Sequence, residues 1–164
     1  MLLFHWRFQA AALVLCFTAS SLAMPPSEIM KDLERPQITN INKSLATMPS
    51  ALKDSLRRLF EQRVLSIADV GRPFRETDVI TDAGTAKLPA RRLTLAFATP
   101  RFYYVYYRSG GYGTAGNLLV FGRKDAAYKF IWGGVEFENE PTSPDEIIKR
   151  VRRKSFDDSK HFAW

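Results

Sequence analysis

The stretch YYRSGGYGTAGNLLVFG places Gly111, Gly113 and Gly116 in the spacing G-x-G-x-x-G. In a dinucleotide-binding fold that spacing follows a strand and opens a helix, whose free N–H groups meet a pyrophosphate. A strand precedes it here, but Asn117-Leu118-Leu119-Val120-Phe121 also reads as a strand and Gly122 ends it. A protein-kinase glycine loop does lie between two strands, with a lysine on the next one, and Lys129 stands at such a place. The H-R-D and D-F-G segments of a kinase are absent from the sequence. The spacing therefore predicts a hairpin connection and no nucleotide site. Gly110-Gly111 is a common turn pair, because glycine takes positive φ at little steric cost. So many glycines together mark either a turn or a backbone that a ligand approaches closely. In the ligand reading Arg108 pairs with an anion, Tyr112 stacks, and Gly110 and Gly111 permit close approach.

Other chemistries are narrowed by what is scarce. The chain has two histidines, His5 and His161, and one cysteine, Cys16. A Ser-His-Asp site would have to use His161, and a zinc site has too few soft ligands, so neither a metal nor a cofactor is expected. Carboxylates remain. Glu136 and Glu138 alternate on one strand face, as do Glu76 and Asp78, and such a pair can run glycoside hydrolysis when spacing and burial suit. The simpler expectation for both pairs is a solvated edge.

Phe102-Tyr103-Tyr104-Val105-Tyr106-Tyr107 is the most unusual run. Successive side chains of a strand point to opposite faces, so both faces of this one are aromatic. Two readings follow: a central strand covered on both sides, or a strand whose outer tyrosines form a partly open binding face. The formal net charge is +7. Arg57-Arg58, Arg91-Arg92 and the run Lys149 to Lys154 favour anionic partners such as an envelope polymer, with nucleic acid a weaker candidate.

These residues need elements to hold them. Residues 1–23 have the three-part layout of a secretory signal peptide: Arg7, an apolar run from Ala10 to Phe17, then Ser21-Leu22-Ala23. The apolar run is shorter than the roughly 20 residues a bilayer span needs, so no membrane span is expected after cleavage. Cleavage also removes Cys16, and a cysteine-free domain of this size fits a bacterial exported protein, periplasmic or extracellular. Residues 24–164 then form one domain.

Within it, Ile29, Met30 and Leu33 share one helical face after Ser27. Ile38, Ile41, Leu45 and Met48 continue a helical spacing beyond Pro36. Leu52, Leu56, Leu59 and Phe60 make an apolar stripe over 49–62. Val64 to Val70 and Phe74 to Ile80 read as extended. Four strands follow: 93–98 with period-two alternation, 101–108, 117–121 and 127–132. Val135 to Glu138 is a fifth beyond Gly133-Gly134. Ser143-Pro144-Asp145-Glu146 opens a last helix with a capping serine, a first-position proline and a capping-box glutamate. The expected fold is α+β: an antiparallel β-meander of four to five strands, with N-terminal helices and a C-terminal helix packed on one face. The order resembles that of many small exported bacterial proteins, a likeness of architecture alone. The expected function is a non-catalytic binding module for a protein or an anionic envelope component, acting through the aromatic sheet and the loop at Arg108, Gly110, Gly111 and Tyr112. The alternatives are a small envelope hydrolase using Glu136 or Glu138, or a structural subunit of an envelope assembly.

Overall fold

The computed structural model describes residues 25–77, 83–111 and 113–158. The segment 1–23, Asp78 with the end of the run to Ile80, Tyr112 and His161 lie outside the described residues. Five strands form one antiparallel sheet in the order β1-β2-β3-β4-β5: β1 Asn40–Asn42, β2 Arg91–Ala98, β3 Phe102–Ser109, β4 Ala115–Lys124 and β5 Ala127–Glu136. The helices are α1 Ser27–Glu34, α2 Ser50–Leu59, the short α3 Ala83–Ala86 and α4 Pro144–Arg152. This is the α+β meander that the sequence pattern demands. Among the described residues no helix is long and apolar enough to cross a membrane.

Three expectations need correction. The strand beyond Gly133-Gly134 is not separate, because β5 runs through both glycines to Glu136. The fifth strand is instead β1, in the stretch whose spacing reads as helical. Ile41 there is 52% exposed while Asn42 is buried, and the Asn42 amide donates to the Tyr103 hydroxyl at 2.5 Å. A polar side chain with a buried partner thus overrides the apolar spacing. Finally, helices cover both sheet faces. Ile29 and Leu33 of α1 and Ile147, Ile148 and Val151 of α4 pack on one face, with Leu95, Phe97, Tyr104, Tyr106, Leu118 and Val120. Leu52 and Leu56 of α2, with Met48 and Phe60, pack on the other, against Leu93, Tyr103, Val105, Tyr107, Leu119 and Phe121.

The aromatic strand is therefore central and covered twice, so it offers no open tyrosine face. Phe102, Tyr104 and Tyr106 point to α1 and α4; Tyr103, Val105 and Tyr107 point to α2. Phe97 stacks on Tyr104 at 4.6 Å, and Phe60 meets Tyr107 edge-on at 5.5 Å. Tyrosine suits this position because its polar tip reaches partners at the rim of each layer. Tyr104 donates to Asp32 at 2.9 Å and Tyr106 to Glu136 at 2.8 Å.

Two bulges reset the alternation. The β2–β3 register shifts between Leu93 and Leu95, so these leucines face opposite layers although they stand two apart. The β4–β5 register shifts between Val120 and Phe121, leaving Ile131 as the extra residue between Phe130 and Trp132. Phe130 packs on the α2 side and Trp132 on the α4 side. An inserted residue does this because strand side chains alternate with period two.

Helix ends are tied into the same framework. Ser143 caps α4 by accepting from Glu146 N at 3.4 Å, and Glu146 accepts from Thr142 N at 2.9 Å. Arg152, at the end of α4, donates to the final carbonyls of α1 at Leu33 and, at 3.0 Å, Glu34.

Burial pushes the Tyr103 phenol up to about 12 and also raises Tyr104, Tyr106 and Tyr107. The neighbouring carboxylates Asp32 and Glu136 raise Tyr104 and Tyr106 further. Each group holds its proton more tightly folded than unfolded. The stability it contributes is complete below its ordinary value of 10.0 and is lost as pH climbs through the folded values. In an alkaline titration, phenolate absorbance from these four should therefore rise together with loss of the sheet signal in circular dichroism. Their ionisation with the sheet intact would contradict the two-sided burial.

Candidate functional site

The bulge at Ile131 decides what the last part of β5 faces. Regular alternation from Tyr128 and Phe130 would carry Glu136 to the α2 side. The extra residue turns it to the α4 side, where it is 2% exposed. There Glu136 Oε1 accepts from Arg150 Nη1 at 2.5 Å and from the Tyr106 hydroxyl at 2.8 Å. Arg150 is itself 3% exposed and also donates to Glu146 at 2.6 Å. Glu136 is thus not on a solvated edge. Its Oε1 is held by a buried guanidinium, which makes it a structural anchor between β5 and α4.

Glu138 lies just past the strand and is partly exposed. Its Oε2 accepts from Arg153 and stands 3.7 Å from Arg150 Nε. Glu136 and Glu138 therefore both face Arg150, but β5 ends at Glu136, so they do not share a strand face as expected. The Thr142 N–H and the Arg150 guanidinium hold the Glu146 carboxyl below its usual range.

The glycine loop serves the same corner. Arg108, Gly116 and Glu136 form one row across β3, β4 and β5. Gly116 has no side chain for a steric reason: a Cβ there would lie 1.8 Å from the Tyr106 hydroxyl oxygen. Arg108 pairs with no anion among the described residues. It donates to the Glu138 carbonyl at 3.0 Å and the Thr114 carbonyl at 3.4 Å. On β2, Arg92 and Thr94 hold Glu140 at 2.8 and 2.7 Å. The segment 137–143 is consequently a strap tied to the sheet by Arg108, Arg92 and Thr94, and it delivers the chain to α4.

Something does approach Gly110 closely, but it is the chain itself. A Cβ at this position would fall 1.9 Å from the Arg75 carbonyl oxygen. Gly110 N donates to Ala90 O at 3.1 Å and Gly111 N to Glu76 O at 3.4 Å. The structure thus brings Arg108, Gly110 and Gly111 onto one hairpin whose backbone is engaged by residues 75–77 and 90. Tyr112 lies outside the described residues.

The strap and α4 also border an open groove. A groove of about 470 Å³ is lined by Phe137, Glu138, Asn139, Glu146, Lys149, Arg150 and Arg153. Lys149, Arg150 and Arg153 share one face at the end of α4 by helical spacing. Phe137, 67% exposed, is the largest apolar group at the rim. Sequence reasoning named Glu138 and the basic helix, yet it missed the groove. The only signal was Phe137 between two glutamates at a strand end. Among the described residues no cluster of three or more His, Cys, Asp or Glu could hold a metal ion. No family model, no curated protein and no solved structure matches this chain.

Two expected outcomes test this description. Gly110→Ala should lower unfolding stability by about 1–3 kcal/mol in urea titration, since overpacking a fixed backbone costs that much. Arg150→Ala should cost about 3–5 kcal/mol, because it strands Glu136 as an unpaired buried charge. A loss below about 1 kcal/mol, the scale of a surface pair, would contradict the buried network.

Proposed function

We propose that this chain is an exported, non-catalytic binding module whose contact surface is the β5–α4 corner. The observation that carries this reading is the state of the two candidate carboxylates. Glu136 is buried with its Oε1 held by Arg150 and Tyr106, and Glu138 is paired with Arg153, so both carboxylates are committed to arginines of α4 and its end. The surface beside them has the parts of a binding site: an exposed aromatic ring, two exposed cations at the end of α4 and a groove of small-molecule dimensions. The buried tyrosine strand supplies rigidity and no contact. Export follows from the leader layout at 1–23, and a protein or an anionic envelope component remains the proposed partner.

The test is capture from cell-envelope fractions, with the chain expressed with its own leader, at low and high salt. A partner should be retained at high salt and lost on the Phe137→Ser/Lys149→Glu variant, whose unfolding midpoint should match the parent. Hydrolytic release of envelope fragments that disappears in Glu138→Gln would sink the proposal in favour of an enzyme.

A further inference from the structure

We infer that the corner is a carboxylate clamp: it takes the free carboxylate of a small ligand with an apolar body, in the place the Glu138 carboxylate holds in this structure. The inference rests on the β5–α4 corner being the contact surface.

Arg150 is the reason. Its two Nη atoms are used by Glu136 and Glu146. Its Nε is buried and has no hydrogen-bond acceptor among the described residues. The facing oxygen, Glu138 Oε2, is 3.7 Å away, an ion pair too long to be a hydrogen bond. An arginine N–H that is buried in a fixed network and left without an acceptor is a vacant donor for a carboxylate oxygen.

The neighbours select the same chemistry. Arg153, one turn further on at the end of α4, is 56% exposed at its side chain and holds Glu138 from the solvent side. Lys149 is exposed beside it. A ligand carboxylate set between Arg150 Nε and Arg153 would accept from both, and Glu138, already 39% exposed, would turn outward. The exchange keeps one carboxylate facing the two arginines, and the displaced Glu138 carboxylate is screened by solvent. A cation has no such route, because Glu136, Glu138 and Glu146 each already face an arginine. Phe137 at the rim gives an apolar ligand body a ring to lie against. Glu138 is thus an internal competitor, held near the clamp at the high effective concentration that a short tether gives.

The experiment is calorimetric titration of the full chain with N-acetylphenylalanine and, separately, with its primary amide. The acid should bind and the amide should be weaker by about tenfold or more, the loss expected for one charge-assisted contact. Glu138→Gln should tighten the acid, because the competitor loses its charge. Arg153→Gln should weaken it about tenfold with the fold intact, since that side chain is largely exposed. Equal binding of acid and amide, or weaker acid binding in Glu138→Gln, would overturn the clamp and leave any captured partner in place. Acid binding without a captured partner would support the clamp and remove only the macromolecular partner.

Discussion

The contact on which the rest of this corner depends is the buried pair Glu136–Arg150. An ion pair taken out of water is a weak source of net stability, because desolvation consumes most of the attraction. What it supplies is position. Glu136 ends β5, Arg150 lies within α4, and Tyr106 comes from the central strand. Any other registration of α4 on the sheet would leave a charge buried without its partner, at a cost of about 3–5 kcal/mol. The pair therefore selects one placement of the last helix, while Ile147, Ile148 and Val151 supply the apolar burial that makes the placement favourable.

That pair exists only because β5 contains one residue too many. Tyr128 and Phe130 belong to the α2 layer, and Trp132 belongs to the α4 layer. Ile131 absorbs the change and is itself 40% exposed. Gly134 continues the logic, since a Cβ there would lie 2.8 Å from Phe156. A bulge in β2 performs the same switch near Thr94, whose hydroxyl is then free to hold Glu140. Two local defects in pairing thus aim the arginines and carboxylates at one end of one sheet face.

How much of this can be read from residue order depends on the range of the interaction. Helices α1, α2 and α4 are legible because their apolar residues recur with the helical period and Ser143-Pro144 marks a start. Strands β2 to β5 are legible from composition. The bulges are not, because Leu93-Thr94-Leu95 and Phe130-Ile131-Trp132 look like unbroken strand, and the face switch is visible only through packing. Strand β1 is hidden for a related reason: its one buried side chain is Asn42, and the partner that admits it is Tyr103, far along the chain. At the site, contacts that span the chain decide what Arg108 and Gly110 touch in this structure. Arg108, assigned to an anion, holds the backbone of the strap. Gly110, assigned to a ligand, makes room for the Arg75 carbonyl. In each case the partner in this structure is the protein's own backbone.

This redistribution explains where an open site can survive in such a fold. The sheet has covered faces, and its aromatic strand is buried on both. Strand β1 and Ala68 pair along the outer edge of β2. The glycine hairpin is engaged by residues 75–77. Space stays open where rigid elements meet without filling the gap between them: one such place lies beside β1 and the start of α2, and the strap at 137–143 creates another as it leaves β5 and turns into α4. Arg92, Arg108 and Thr94 fix the strap from below, and Arg150 fixes α4 from beside it. The walls of the groove are held by the same charges that lock the core, whereas Phe137, Glu138, Lys149 and Arg153 at its mouth are exposed or partly so. A rigid floor with adjustable rim groups is the arrangement that lets a small protein recognise a ligand without reorganising its fold.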